Sequence, residues 1–253
     1  MNINHLSDFR EKVAAGKICQ GLVIQLSDPV VAEMAGDIGF DFTWIDAEHC
    51  PHTLQNIQSI ILAQRGTGCA PFVRVPWNEW GIIKPVLDLA PAGIIVPMVN
   101  SREEAEEAVA NCKYPPAGKR GFGARRGMNY GQMPLNDYLE SAASEPLVII
   151  QIEHIDAVKN LESILEVKGI DSICIGPMDL SGSMGLLGQT GHPEVLKTID
   201  YIAAKTHEAG LMLGTASGAP MEQWRARGID WIARYSDAEA MARYCKMMLE
   251  EGK

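Results

Sequence analysis

The stretch Phe42-Thr43-Trp44-Ile45-Asp46-Ala47-Glu48-His49-Cys50-Pro51 begins as an apolar run and empties into two carboxylates and an imidazole. A strand covered on both faces reads this way, because neither side of it needs polar residues. Titratable groups at the end of such a strand are rigidly placed yet open to solvent, as a catalytic centre requires. The same unit recurs along the chain. Apolar runs at 19–26, 70–75, 93–99, 146–153, 171–175, 211–215 and 231–235 join the one at 41–46. Between and around them, residues 5–17, 29–35, 53–65, 80–89, 101–112, 156–167, 193–209, 220–227 and 237–250 read as helices. Ser27-Asp28-Pro29 opens one, and Ser101-Arg102-Glu103-Glu104 is a capping box for another. Short strands alternating with helices predict an α/β fold, a (β/α)8 TIM barrel. A doubly wound open sheet is the alternative. It normally carries a glycine-rich phosphate turn after its first strand, and Leu26-Ser27-Asp28-Pro29 is not one.

The 253 residues fit a single barrel domain, and a hydrophobic content of 47% supplies its core. Residues 113–145 stand apart. Tyr114-Pro115-Pro116 and the Gly- and Arg-rich run to Arg126 predict a long functional loop or lid. The net charge of −10 leaves no basic footprint for nucleic acid. No apolar run is long enough to span a membrane. The start, Met1-Asn2-Ile3-Asn4-His5, lacks the basic and apolar parts of a signal peptide. Six scattered cysteines without a CxxC pair read as free thiols of a cytoplasmic protein.

In a barrel, every strand ends on the same face, and chemistry sits there. The second strand brings Asp46, Glu48 and His49 to that face, the third Arg74, the fifth Gln151 and Glu153, and the sixth Asp179. Glu153 and Asp179 are oxygen donors at the ends of neighbouring strands. They suit a hard divalent ion such as Mg²⁺ or Mn²⁺, with open positions for water or a chelating oxyacid. Such an ion acts as a Lewis acid on an enolate, and Arg74 adds a fixed positive charge. Histidine is the side chain whose unperturbed pKa lies closest to neutrality, which makes His49 the candidate base. No lysine falls at a strand end in this set, which argues against a Schiff-base mechanism.

These residues resemble the metal-dependent (class II) pyruvate aldolases of the 4-hydroxy-2-oxo-heptane-1,7-dioate aldolase family. That family also includes 2-dehydro-3-deoxyglucarate and 2-keto-3-deoxy-L-rhamnonate aldolases. The resemblance rests on Ile45-Asp46-Ala47-Glu48-His49, Val73-Arg74-Val75, Ile95-Val96-Pro97-Met98-Val99, Tyr114-Pro115-Pro116 with Arg120-Gly121, Gln151-Ile152-Glu153, Ile175-Gly176-Pro177-Met178-Asp179-Leu180-Ser181 and Gly191-His192-Pro193-Glu194-Val195. It implies a barrel of the phosphoenolpyruvate/pyruvate-binding type. It implies that Glu153 and Asp179 hold Mg²⁺, Mn²⁺ or Co²⁺, that Arg74 stabilises the enolate and that His49 is the base. Gln151 and the Gly176-Pro177-Met178-Asp179 turn would contact the pyruvyl part. The resemblance ranks Asp88 first as the partner of His49. Asp46, which shares a strand end with His49, is the second candidate, and Glu48 is a supporting residue beside them. It also implies a homo-oligomer, a hexamer built as a trimer of dimers, with the C-terminal helix at about 237–250 exchanged between subunits.

The chain departs from the family at Val23 and Gln25 in the first strand, at Glu153-His154, at Arg126 and Met128, and at Ala233-Arg234-Tyr235-Ser236-Asp237. The metal and enolate set is intact, and the residues that would read the aldehyde differ. The expected reaction is retro-aldol cleavage of a 4-hydroxy-2-oxo acid, of sugar-acid or dicarboxylic type, to pyruvate and an aldehyde through a metal-bound enolate. The alternatives are an oxaloacetate decarboxylase or other enolate-using lyase or synthase on the same site, and a barrel that only binds an oxyacid.

Overall fold

Strands apolar on both sides need cover on both faces, and the chain supplies it by closing the sheet and wrapping it in helices. A computed structural model describes residues 3–252; Met1 and Asn2, where the reading of the N-terminus begins, lie outside the described residues. Eight strands form the barrel: β1 (Cys19–Ile24), β2 (Phe42–Asp46), β3 (Ala70–Arg74), β4 (Gly93–Val96), β5 (Leu147–Ile152), β6 (Ser172–Ile175), β7 (Met212–Ala216) and β8 (Trp231–Ser236). The helices are α1 (Leu6–Ala14), α2 (Pro29–Ile38), α3 (Leu54–Ala63), α4 (Trp80–Leu87), α5 (Arg102–Cys112), α6 (Leu135–Ala142), α7 (Ile155–Lys159), α8 (Leu161–Leu165), α9 (Pro177–Ser183), α10 (Pro193–Glu208), α11 (Met221–Arg225) and α12 (Asp237–Glu251). All strand pairs are parallel, and β8 pairs with β1, so the sheet is a closed (β/α)8 barrel and the open-sheet alternative falls.

Two apolar layers hold it together. The inner one contains Cys19, Phe42, Trp44, Phe72, Ile95, Ile149, Cys174 and Trp231. Phe9 of α1 joins it, 4.9 Å from the Phe72 ring and 5.9 Å from Phe42, so α1 plugs the end of the barrel where the strands begin. The outer layer, between sheet and helices, is built from alternate residues such as Ile45, Val73, Ile94, Val148, Ile173 and Ile232. With the inside filled at the strand starts, the strand ends are left to carry polar groups.

Three elements differ from the sequence reading. The insert at 113–145 contains the regular helix α6, whose Tyr138 and Ala142 pack on Ala124; the Gly, Pro and Arg residues before it obscure that spacing. The helix read over 156–167 breaks at Asn160 into α7 and α8. The turn after β6 continues directly into α9, with Pro177 in its first turn. Among the described residues, no helix is long and apolar enough to cross a membrane.

Candidate active site

Asp46 and Arg74 end neighbouring strands and are register partners. Arg74 Nε donates to Asp46 Oδ1 at 3.0 Å and Nη2 to Oδ2 at 2.7 Å, a bidentate pair. Arg74 Nη1 lies 3.0 Å from Glu48 Oε2, an ion pair without hydrogen-bond angles. The guanidinium also lies 5.1 Å from the Trp44 ring centroid. Asp46 Oδ1 accepts from the main-chain N–H groups of Glu48 (3.1 Å) and His49 (3.3 Å). Burial pushes the Asp46 carboxyl up, but Arg74 and these N–H groups prevail and hold it below the usual value. Asp46 therefore serves Arg74 and the His49 backbone, while the His49 ring is exposed and has Glu48 as its carboxylate neighbour, 3.7 Å away.

Glu153 is buried just past the end of β5. Its Oε1 accepts from Met98 N at 2.8 Å, and its Oε2 accepts a short bond from Gln151 Nε2. Met98 directs that N–H from a left-handed conformation, φ 53°, uncommon for a residue with a side chain. Burial pushes the Glu153 carboxyl up to about 7; the Met98 N–H opposes this, the charges of Glu48 and Asp179 add to it, and Arg74 opposes it. Burial likewise raises Glu48, with Arg74 and His49 opposing and Asp46 and Asp179 adding.

Gly176 is sterically required: a Cβ there would stand 2.6 Å from Glu153 Oε2 and 3.1 Å from Gln151 Nε2. The chain then turns into α9, with Pro177 buried, Met178 exposed and Asp179 in the first turn. The site thus gathers Asp46, Glu48, His49, Arg74, Gln151, Glu153 and Asp179 on one face. The sequence did not reveal Met98, whose role is a backbone N–H. Trp44 had a signal, as an aromatic two residues before Asp46 on the same side of its strand.

Asp88 lies elsewhere. It caps the C-terminus of α4. Its Oδ1 is 3.8 Å from Arg120 Nη2 and otherwise unpartnered, and Gly123 packs against Oδ2. Burial raises its pKa, with Arg120 and Lys84 opposing. Among the described residues, no hydrogen bond or ion pair joins Asp88 to His49.

No group of three or more His, Cys, Asp or Glu side chains is arranged to enclose a metal ion among the described residues. The donor set still fits a hard cation bound mainly by water and substrate. Glu153 is a carboxylate raised chiefly by its burial, with the charges of Glu48 and Asp179 adding, and Gln151 Oε1 beside it is buried with no partner. The donors are all oxygens.

Residues 20–232 match the family model described as HpcH/HpaI aldolase/citrate lyase. The chain is 37% identical over 211 residues to a hydroxypyruvate/pyruvate aldolase from Roseobacter denitrificans, covering 82% of each chain. It is 36% identical over 228 residues to a 5-keto-4-deoxy-D-glucarate aldolase from Citrobacter koseri, covering 90% of this chain and 87% of the relative. The crystal structure of an HpcH/HpaI aldolase from Desulfitobacterium hafniense superposes with a TM-score of 0.90 at 28% identity, over 96% of this chain and 95% of that one.

Proposed function

The chain belongs to the HpcH/HpaI aldolase/citrate lyase family and is a carbon–carbon lyase of the aldolase type, and from that premise we propose how its residues divide the work. The reaction is retro-aldol cleavage of a 4-hydroxy-2-oxo acid to pyruvate and an aldehyde. The observation that carries this reading is the buried Glu153 carboxylate, raised toward neutrality beside the fixed Arg74 guanidinium. Glu153 and Asp179 hold a divalent cation, Mg²⁺, Mn²⁺ or Co²⁺, which when bound supplies Lewis-acid polarisation of the 2-oxo acid. Gln151 and the Gly176-Pro177-Met178-Asp179 turn position the pyruvyl half.

His49, exposed at the mouth, takes the proton of the C4 hydroxyl, directly or through water. The C3–C4 bond breaks, the C4 oxygen becomes the carbonyl of the aldehyde, and the electron pair moves into the enolate of pyruvate. Arg74 is already oriented and neutralises the developing oxyanion without reorganising. Protonation at C3 completes pyruvate. Asp46 keeps Arg74 in plane and anchors the His49 backbone, and Glu48 adds charge beside the imidazole.

The chain works as one barrel domain, with 113–145 as a lid region. Its six free cysteines fit a reducing, cytoplasmic setting. We assign it a homo-oligomer, a hexamer arranged as a trimer of dimers. Met241, Tyr244, Met247, Met248 and Leu249 are all exposed along α12, an apolar face suited to a neighbouring subunit. Asp88, which has no contact with His49 in its own chain, then acts on the His49 of a neighbouring copy. Glu153→Gln and Asp179→Asn are each expected to abolish metal-dependent turnover in an aldol screen of pyruvate and Mn²⁺ against an aldehyde panel. Full activity in either variant, or undiminished activity in excess EDTA, would overturn the reading.

A further inference from the structure

On the aldolase reading, the pyruvyl half of the substrate lies against Arg74, Gln151, Glu153 and Asp179, at and just beyond the ends of β3, β5 and β6. The aldehyde half then faces the arc formed by β7, β8 and β1. Most polar side chains on that arc are already committed within the protein. Thr215 Oγ1 donates to Ile175 O at 2.8 Å. Ser217 Oγ accepts from Ala219 N, and Ser236 Oγ from Glu239 N. Arg234 sits at an irregularity in the β1–β8 pairing, with its guanidinium 5.3 Å from the Tyr235 ring and its Nε buried without a hydrogen-bond partner. That ring also lies 5.8 Å from the Arg243 guanidinium of α12.

Gln25 differs from these. Along β1, Gly21 and Val23 face the inner aromatic layer, while Leu22 and Ile24 face the helices. The next inward position is Gln25. The β1–β2 pairing ends with Ile24 opposite Ile45, and Gln25 and Asp46 are the next residues along their chains. Its main-chain N–H is held by both oxygens of the buried Asp237, at 3.0 and 3.2 Å, and Leu26 N binds the same carboxylate at 3.0 Å. The side-chain amide makes no hydrogen bond among the described residues. A pinned backbone thus presents a free amide one strand away from the Asp46–Arg74 pair. An amide is neutral and can both donate and accept, which matches a hydroxyl group.

We propose that Gln25 reads a hydroxyl on the carbon next to the aldehyde carbon, so that the enzyme prefers α-hydroxyaldehydes to their deoxy analogues. This rests on the aldolase reading. The test compares kcat/KM for aldol addition of pyruvate, with Mn²⁺, to glycolaldehyde and to acetaldehyde, which differ by that one hydroxyl. In Gln25→Met, which keeps the length and removes the amide, activity with glycolaldehyde is expected to fall roughly tenfold. Activity with acetaldehyde, KM for pyruvate and exchange of the pyruvate methyl protons with solvent are expected to stay unchanged. An unaltered glycolaldehyde preference, an equal loss with both aldehydes, or loss of proton exchange in Gln25→Met would overturn the role of Gln25 alone. A wild-type protein that exchanges no pyruvate protons with any divalent ion would overturn the aldolase reading and this inference with it.

Discussion

Arg74 is held by contacts that leave it little freedom. Asp46 takes two of its nitrogens bidentately and Glu48 faces the third, so the guanidinium plane is set before substrate arrives. Removing one member of a buried ion pair strands the other charge, at a cost of about 3–5 kcal/mol. Asp46→Ala is therefore expected to lower stability by about that amount in chemical denaturation and to slow pyruvate proton exchange. Wild-type stability and exchange in this variant would mean that Arg74 is held by something else. Glu153 makes a pH-dependent contribution. Its folded-state pKa of about 7 lies above the ordinary 4.5, so folding favours the neutral acid. The resulting stabilisation, on the order of 3 kcal/mol, is complete below the unfolded value and is lost as pH rises through about 7. The metal-free protein should melt at a lower temperature at pH 8 than at pH 5, and Mn²⁺ should raise the melting point more at pH 8. A melting temperature independent of pH and of Mn²⁺ would contradict this. The sequence identified the residue types at the strand ends but not their pairing. Asp46 is three residues from His49 in the chain, yet its side chain meets Arg74, 28 residues away, because strand register brings those two together.

The strands place these groups only because the barrel below them is filled. Four aromatic rings, Phe9, Phe42, Phe72 and Trp231, crowd the inside, with centroids 4.9 to 6.0 Å apart. Glycine on the neighbouring strand makes room for them. A Cβ at Gly214 would come 1.8 Å from the Trp231 ring, with no flexible end to move aside. Gly214→Ala is expected to cost about 3 kcal/mol or more through overpacking, measured as a lower denaturation midpoint. An unchanged midpoint would mean that Trp231 can shift freely. The strands were legible in the sequence because each is a continuous apolar run, a local signal. The inward–outward division was not, since both faces are apolar and only closure of the sheet distinguishes them. Helix α6 was hidden for another reason: its few buried positions face a small cluster in the insert rather than the main core.

At the scale of the molecule, Asp88 and α12 stand out. Asp88 lies away from the His49 of its own chain, and α12 leaves an apolar face uncovered. On the proposed assembly, these two features are connected. Mixing His49→Ala with Asp88→Ala, each inactive alone, is expected to restore activity, because some mixed interfaces would combine an intact His49 with an intact Asp88. The yield should approach about a quarter of wild type if subunits exchange at random, a simple combinatorial estimate for sites built from two chains. No recovery after dissociation and reassembly would place Asp88 outside the reaction.

By itself the sequence determined the barrel, because alternating buried strands and capped helices are local patterns that short stretches carry. It also determined which chemical groups stand at the mouth, since all parallel strands of a barrel end on one face. Only the tertiary structure decided the partnerships within the chain: Asp46 with Arg74, Gln151 and Met98 with Glu153, and Asp88 with Arg120. Those depend on strand register, on the direction in which each backbone N–H points and on the phase of a helix end. Separation along the chain specifies none of these.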